Sequence, residues 1–66
     1  MYKIRNRQNE LNFPDCFFSI EECLAFLKKK YKTDVTFSNE GNVTFVWLRH
    51  PEMIYPNELH DVEIFL

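Results

Sequence analysis

A single glycine, Gly41, serves the whole 66-residue chain. Loops that cradle phosphates need several glycines for tight turns and close backbone approach, so nucleotide-dependent chemistry is not expected. Two cysteines, Cys16 and Cys23, are too few for the disulfide framework that holds small secreted domains together. Both are read as thiols, Cys23 in the core. No stretch approaches the ~18 consecutive apolar residues of a membrane span. The basic start, Lys3, Arg5 and Arg7, lacks the apolar segment and small-residue cleavage site of a signal peptide. The expected location is the cytoplasm.

Soft metal ligands are equally scarce. Cys16, Cys23, His50 and His60 contain no closely spaced cysteine pair, and the two histidines stand ten residues apart, too far for a zinc motif. Nothing in the spacing singles out a Cys/His nucleophile pair. A core this small also leaves little room for the supporting shells of a catalytic pocket. The sequence therefore predicts no enzyme, no cofactor and no metal.

What is abundant is apolar surface. With 45% hydrophobic and 17% aromatic residues the chain is too apolar for disorder, and residues 1–66 make one domain. A domain of this size buries only about 60% of the surface its unfolded chain exposes, so its stability margin is thin.

The strongest local signal is a helix over Phe18–Lys32. Ser19 stands directly before the apolar pattern and Glu22 three residues later, the spacing of a capping box, with the carboxylate reaching back to Ser19. Phe18 and Cys23 are placed as a hydrophobic staple across that cap. Glu21 and Glu22 fall at the positive end of the helix dipole, and Lys28, Lys29, Lys30 and Lys32 at the negative end. Ile20, Cys23, Leu24, Leu27 and Tyr31 recur at helical spacing and form the expected core stripe. Phe26 lies off that stripe, which leaves two explanations for it: a loop folded over the helix, or a partner surface.

Strands flank this helix. Tyr2 and Ile4 alternate with Lys3, Arg5 and Arg7, giving a first strand with a basic outer face. Leu11 and Phe13 suggest a short second strand, ended by Pro14. After the helix, Val35–Phe37 and Val43–Leu48 read as a hairpin closed by Asn39, Glu40 and Gly41, with Gly41 left-handed. That loop pairs Ser38 with Asn42, Phe37 with Val43 and Val35 with Phe45. Val35, Phe37, Val43, Phe45 and Trp47 then face the helix, and Thr36, Thr44, Val46 and Leu48 face away. Residues 49–60 form a long connection carrying Met53, Ile54 and Tyr55 between Pro51 and Pro56. Val62, Ile64 and Leu66 alternate with Phe65 in a final strand. The predicted fold is a single small α+β domain: a mostly antiparallel sheet of three to five strands with one helix on one face, in the order β(β)αβββ.

Two functional readings follow. The first takes the apolar surplus as an interface, since exposed apolar patches with a polar rim mark protein contacts. Phe26, Lys30, Met53, Ile54 and Tyr55 would meet a larger partner, and Val46, Leu48 and Phe65 would support a homodimer. The chain would act as a non-catalytic inhibitor or regulator, of the kind that phages and mobile elements carry against host defence. The second starts from charge. Net charge is −2, yet residues 1–33 carry +3 and residues 34–66 carry −5. Lys3, Arg5 and Arg7, with Lys28, Lys29 and Lys32, would track the phosphates of a nucleic acid.

Overall fold

A computed structural model describes residues 1–6, 13, 16–49 and 59–66. Among these, one helix packs on one face of a four-stranded antiparallel sheet. The elements are β1 (Lys3–Asn6), α1 (Ile20–Tyr31), β2 (Thr36–Glu40), β3 (Val43–Trp47) and β4 (Val62–Phe65). Strand order across the sheet is β1-β4-β3-β2, so the last strand inserts between the first and the third. Arg7, Leu11, Pro14, His50, Pro51, Met53, Ile54, Tyr55 and Pro56 lie outside the described residues. Phe13, expected in a second strand, is a buried non-strand residue at 5% exposure.

The start of α1 follows its local chemistry. Ser19 is the N-cap, its Oγ accepting from the Glu22 N–H at 3.1 Å, a bond that contributes on the order of 1 kcal/mol. The reciprocal arm differs from the expected box: Glu22 Oε2 accepts from the Phe18 N–H at 2.9 Å, one residue further back. The staple is not formed, because Phe18 is 80% exposed. The helix ends where Lys32 turns left-handed at φ 53°. The buried stripe is also shorter than its periodicity. Cys23 and Leu27 are fully buried and Ile20 and Leu24 pack against them, whereas Tyr31 is 44% exposed at the last turn.

The hairpin forms, but in another register. Gly41 at φ 66° and Asn42 make a two-residue connection, with glycine where a type II′ turn takes it. Glu40 then pairs with Val43, Asn39 with Thr44, Ser38 with Phe45, Phe37 with Val46 and Thr36 with Trp47. This pairing is offset by three residues from the expected one. An odd offset turns one strand over relative to the other. Val46 and Thr44 accordingly face the helix, at 0% and 4% exposure, while Val43, Phe45 and Trp47 face away.

The helix-side rows run Ile4–Ile64–Thr44–Asn39 and Val62–Val46–Phe37 across the sheet. They meet Cys23, Leu27 and Phe13 in one core. Burying Ile4, Leu27, Ile64 and Val46 contributes roughly 1.5–3 kcal/mol each before entropy is counted. Inside this core Thr44 Oγ1 donates to Asn39 Oδ1 at 2.7 Å, which satisfies the buried Thr44 side chain. Phe26 packs on the chain before the helix: its ring lies 5.8 Å from that of Phe13, edge-on, and 5.1 Å from that of Phe17.

Candidate functional site

Away from the helix, the sheet carries a chain of charges laid over aromatic rings. Arg5 Nε donates to Glu63 Oε1 at 2.8 Å, and His60 Nε2 lies 2.8 Å from Glu63 Oε2. The Arg5 guanidinium sits 4.2 Å above the Phe65 ring. His60 stacks on Phe45 at 4.2 Å and 15°, with Trp47 edge-on at 6.4 Å. Cross-strand alternation produces this layout, because Arg5, Glu63 and Phe45 are directly opposite one another on β1, β4 and β3. Asp61 closes the same end of the sheet, accepting from the Leu48 N–H at 2.8 Å and from Arg49 Nη2 at 3.3 Å.

Burial of Glu63 works against its charge, but hydrogen bonds from His60 and Arg5, and their positive charge, outweigh it. Its carboxyl is held below the ordinary glutamate value. A carboxyl with a lowered folded pKa binds fewer protons folded than unfolded. Its contribution to stability is full above the unfolded value of about 4.3 and is lost as the pH falls through the folded one. Urea midpoints measured at stepwise lower pH are expected to drop below that point, and Glu63→Gln should flatten this part of the profile. An unaltered profile in Glu63→Gln would remove the ion pairs from the account.

The described basic residues do not form one surface. Lys3 and Arg5 project from the side of the sheet opposite α1, so roughly 10 Å of packed layer stands between them and the helix lysines. Arg5 is engaged by Glu63 and Phe65. The lysines of α1 and its C-cap are themselves divided. Lys28 and Lys32 border a depression of about 500 Å³ with Thr33 and Asp34, and Lys29 and Lys30 border another, of about 430 Å³, with Phe26. Lys30 Nζ also stands 5.7 Å from the Phe13 ring and 5.9 Å from the Tyr31 ring.

Of the residues expected to carry self-association, Val46 is fully buried in the helix-side core and Leu48 packs against it. Neither lies on an open face, because the hairpin register turns β3 over. Phe65 does face away from the helix, half-buried under Arg5.

A further surface was not legible in advance. Glu21, Leu24, Ala25 and Lys28, one flank of α1, enclose with Val35 and Phe37 an apolar groove of about 260 Å³. Phe37 is 47% exposed there. Its strand, β2, has no neighbour on its outer side among the described residues. The free backbone groups of this edge can be assigned. The Val46 carbonyl accepts from the Asp61 N–H at 2.9 Å, on the β4 side of β3. In an antiparallel ladder hydrogen-bonded and non-hydrogen-bonded pairs alternate, so Val46 and Phe37 form a non-hydrogen-bonded pair. Phe37 and, two residues on, Asn39 therefore direct N–H and C=O outward.

No match to a protein-family model, a curated protein or a solved structure was found. The arrangement of residues alone carries the functional argument. No group of three or more metal-ligating side chains is present among the described residues. No helix there is long and apolar enough to cross a membrane.

The two edges of the sheet are treated differently. On β1, Lys3 and Arg5 supply the charge that discourages strand addition. Tyr2 and Phe17 also exchange backbone hydrogen bonds of 2.8 and 2.9 Å beside it. The edge of β2 carries Thr36, Phe37, Ser38 and Asn39 before Glu40, without lysine, arginine or proline. It is an unguarded edge beside an apolar groove.

Proposed function

We propose that this protein is a non-catalytic interaction module, an inhibitor or regulator, that takes an extended segment of another chain along β2. The observation that carries this reading is the outward backbone of Phe37 and Asn39 set beside the Leu24, Ala25, Val35 and Phe37 groove. Strand addition draws affinity from main-chain hydrogen bonds and specificity from a pocket for alternate side chains, and both elements are adjacent here. A segment with an apolar side chain at every second position fits, one of them entering the groove between Glu21 and Lys28. Action in the cytoplasm fits the exposed free thiol of Cys16. The narrower role, blocking a host defence protein on behalf of a phage or mobile element, suits a small module that works by occupying a surface.

The test is retention of a protein partner from nuclease-treated lysate by the tagged chain, compared with Phe37→Glu. A stoichiometric partner, lost with Phe37→Glu while that variant keeps its circular dichroism spectrum, is the expected result. Retention unchanged in the folded variant would rule out this edge. If nucleic acid rather than protein is retained when nuclease is omitted, and Lys28→Gln with Lys29→Gln and Lys32→Gln releases it with a reduced salt slope, the second reading replaces the first.

A further inference from the structure

We infer that the β2 edge is self-complementary and that, in the absence of a partner, a second copy of this chain occupies it across a two-fold axis. The inference rests on the docking edge proposed above and names its resting occupant. The resulting dimer has one continuous eight-stranded antiparallel sheet, twice the four strands of each copy, with both helices on the same face.

Charge polarity is the first argument. The flank of α1 beside β2 runs from Glu21 through Leu24 and Ala25 to Lys28, acidic at one end and basic at the other. A two-fold axis normal to the sheet pairs β2 antiparallel with its copy and reverses the second helix. Glu21 of each copy then faces Lys28 of the other across the Phe37 side chains. A surface whose charges are complemented by its own two-fold image suits an isologous contact.

Backbone parity is the second. Phe37 and Asn39 carry the outward N–H and C=O groups, so a ladder forms only where these odd-numbered residues oppose each other. With Ser38 opposite Ser38, Phe37 of each copy pairs with Asn39 of the other. Thr36, whose hydroxyl is buried without a hydrogen-bond partner, then stands opposite Glu40 of the second copy, and a change of its χ1 rotamer turns that hydroxyl toward the seam. Sliding the pairing to oppose Phe37 with Phe37 would set Asp34 against Glu40, a like-charge contact. The Ser38-centred register is the one that the side chains favour.

Sedimentation equilibrium of the full chain over a wide concentration range is expected to show monomer and dimer only. Phe37→Glu should weaken the dimer by about a hundredfold or more, as loss of a central aromatic contact on both sides of an interface does. Glu21→Lys and Lys28→Glu should each weaken it roughly threefold to tenfold, and the double exchange should restore it. Restoration is a result that a folding defect cannot produce. Chemical synthesis with an N-methyl group on Phe37 removes one outward N–H and keeps every side chain; it too should give monomers. In a Cys16→Ser background, Ser38→Cys should form an intermolecular disulfide under mild oxidation. Glu40→Cys, opposite Thr36 rather than itself, should not.

A chain that stays monomeric throughout overturns the inference. So does a dimer indifferent to N-methyl-Phe37, or one that Ser38→Cys fails to cross-link. The proposed function fails separately. A monomer that retains its partner in a Phe37-dependent manner sinks only the dimer. A Ser38-linked dimer whose retained proteins are indifferent to Phe37→Glu sinks only the docking reading.

Discussion

Replacing Val46 by glutamate is expected to leave the chain unfolded at neutral pH. The side chain is fully buried between β2 and β4 on the helix side. Substitution there removes about 1.5–3 kcal/mol of apolar burial and places a carboxylate in the cluster of Ile4, Leu27 and Ile64, with no buried cation among the described residues. The effective penalty for an unpaired buried ion is several kcal/mol. A 66-residue domain has a total stability of only about 3–10 kcal/mol at ordinary values per residue, so the loss is comparable with all of it. A proton–nitrogen correlation spectrum should collapse to the narrow dispersion of an unfolded chain. A well-dispersed spectrum from Val46→Glu would mean that Val46 lies on the outer face, which is the three-residue-loop register. This one substitution therefore distinguishes the two hairpins.

The second large effect is expected at Leu27. Its side chain is fully buried on α1 against the sheet, and Leu27→Ala should cost about 2–5 kcal/mol through lost transfer energy and the cavity left behind. For a domain of this size each kcal/mol lowers Tm by about 4–8 °C, so a fall of roughly 10 °C or more is expected by calorimetry. Tyr31→Ala, one turn further along the same stripe, removes a side chain already 44% exposed and should shift Tm much less. Equal losses at the two positions would mean that the stripe is buried along its whole length.

The contrast between Leu27 and Tyr31 shows how much of the helix can be read locally. Capping at Ser19, charge at both ends and spacing along the stripe all act within one turn of the chain. They identified α1 to within two residues at its start and one at its end. Which part of the stripe is covered depends on how far the sheet extends beneath it. Phe26 follows the same rule: its angle off the stripe was legible, but its packing on Phe13 and Phe17 depends on where the chain before the helix is laid.

The candidate site was harder to see for a related reason. Lys28, singled out as a phosphate contact, also borders an apolar groove. Phe37 was assigned to the core, and it does face the helix side, but on an edge strand where half of its surface stays open. A groove between a helix flank and a sheet edge exists only once strand order is known. That order rests on pairing Lys3 with Phe65, residues at opposite ends of the chain. The Arg5–Glu63 ion pair is non-local in the same way.

By itself, then, the sequence determined an α+β domain: one capped amphipathic helix, a glycine-closed hairpin and alternating strands at both ends. These are consequences of contacts between near neighbours and of side-chain periodicity. Tertiary structure decided the hairpin register, the face on which Val46 and Trp47 lie, and the choice of β2 as the unguarded edge. β3 is apolar on both faces, so alternation could not tell its two sides apart. Only the competition for α1, resolved by a two-residue turn and by β4 inserting beside β1, selected Val46 for the core.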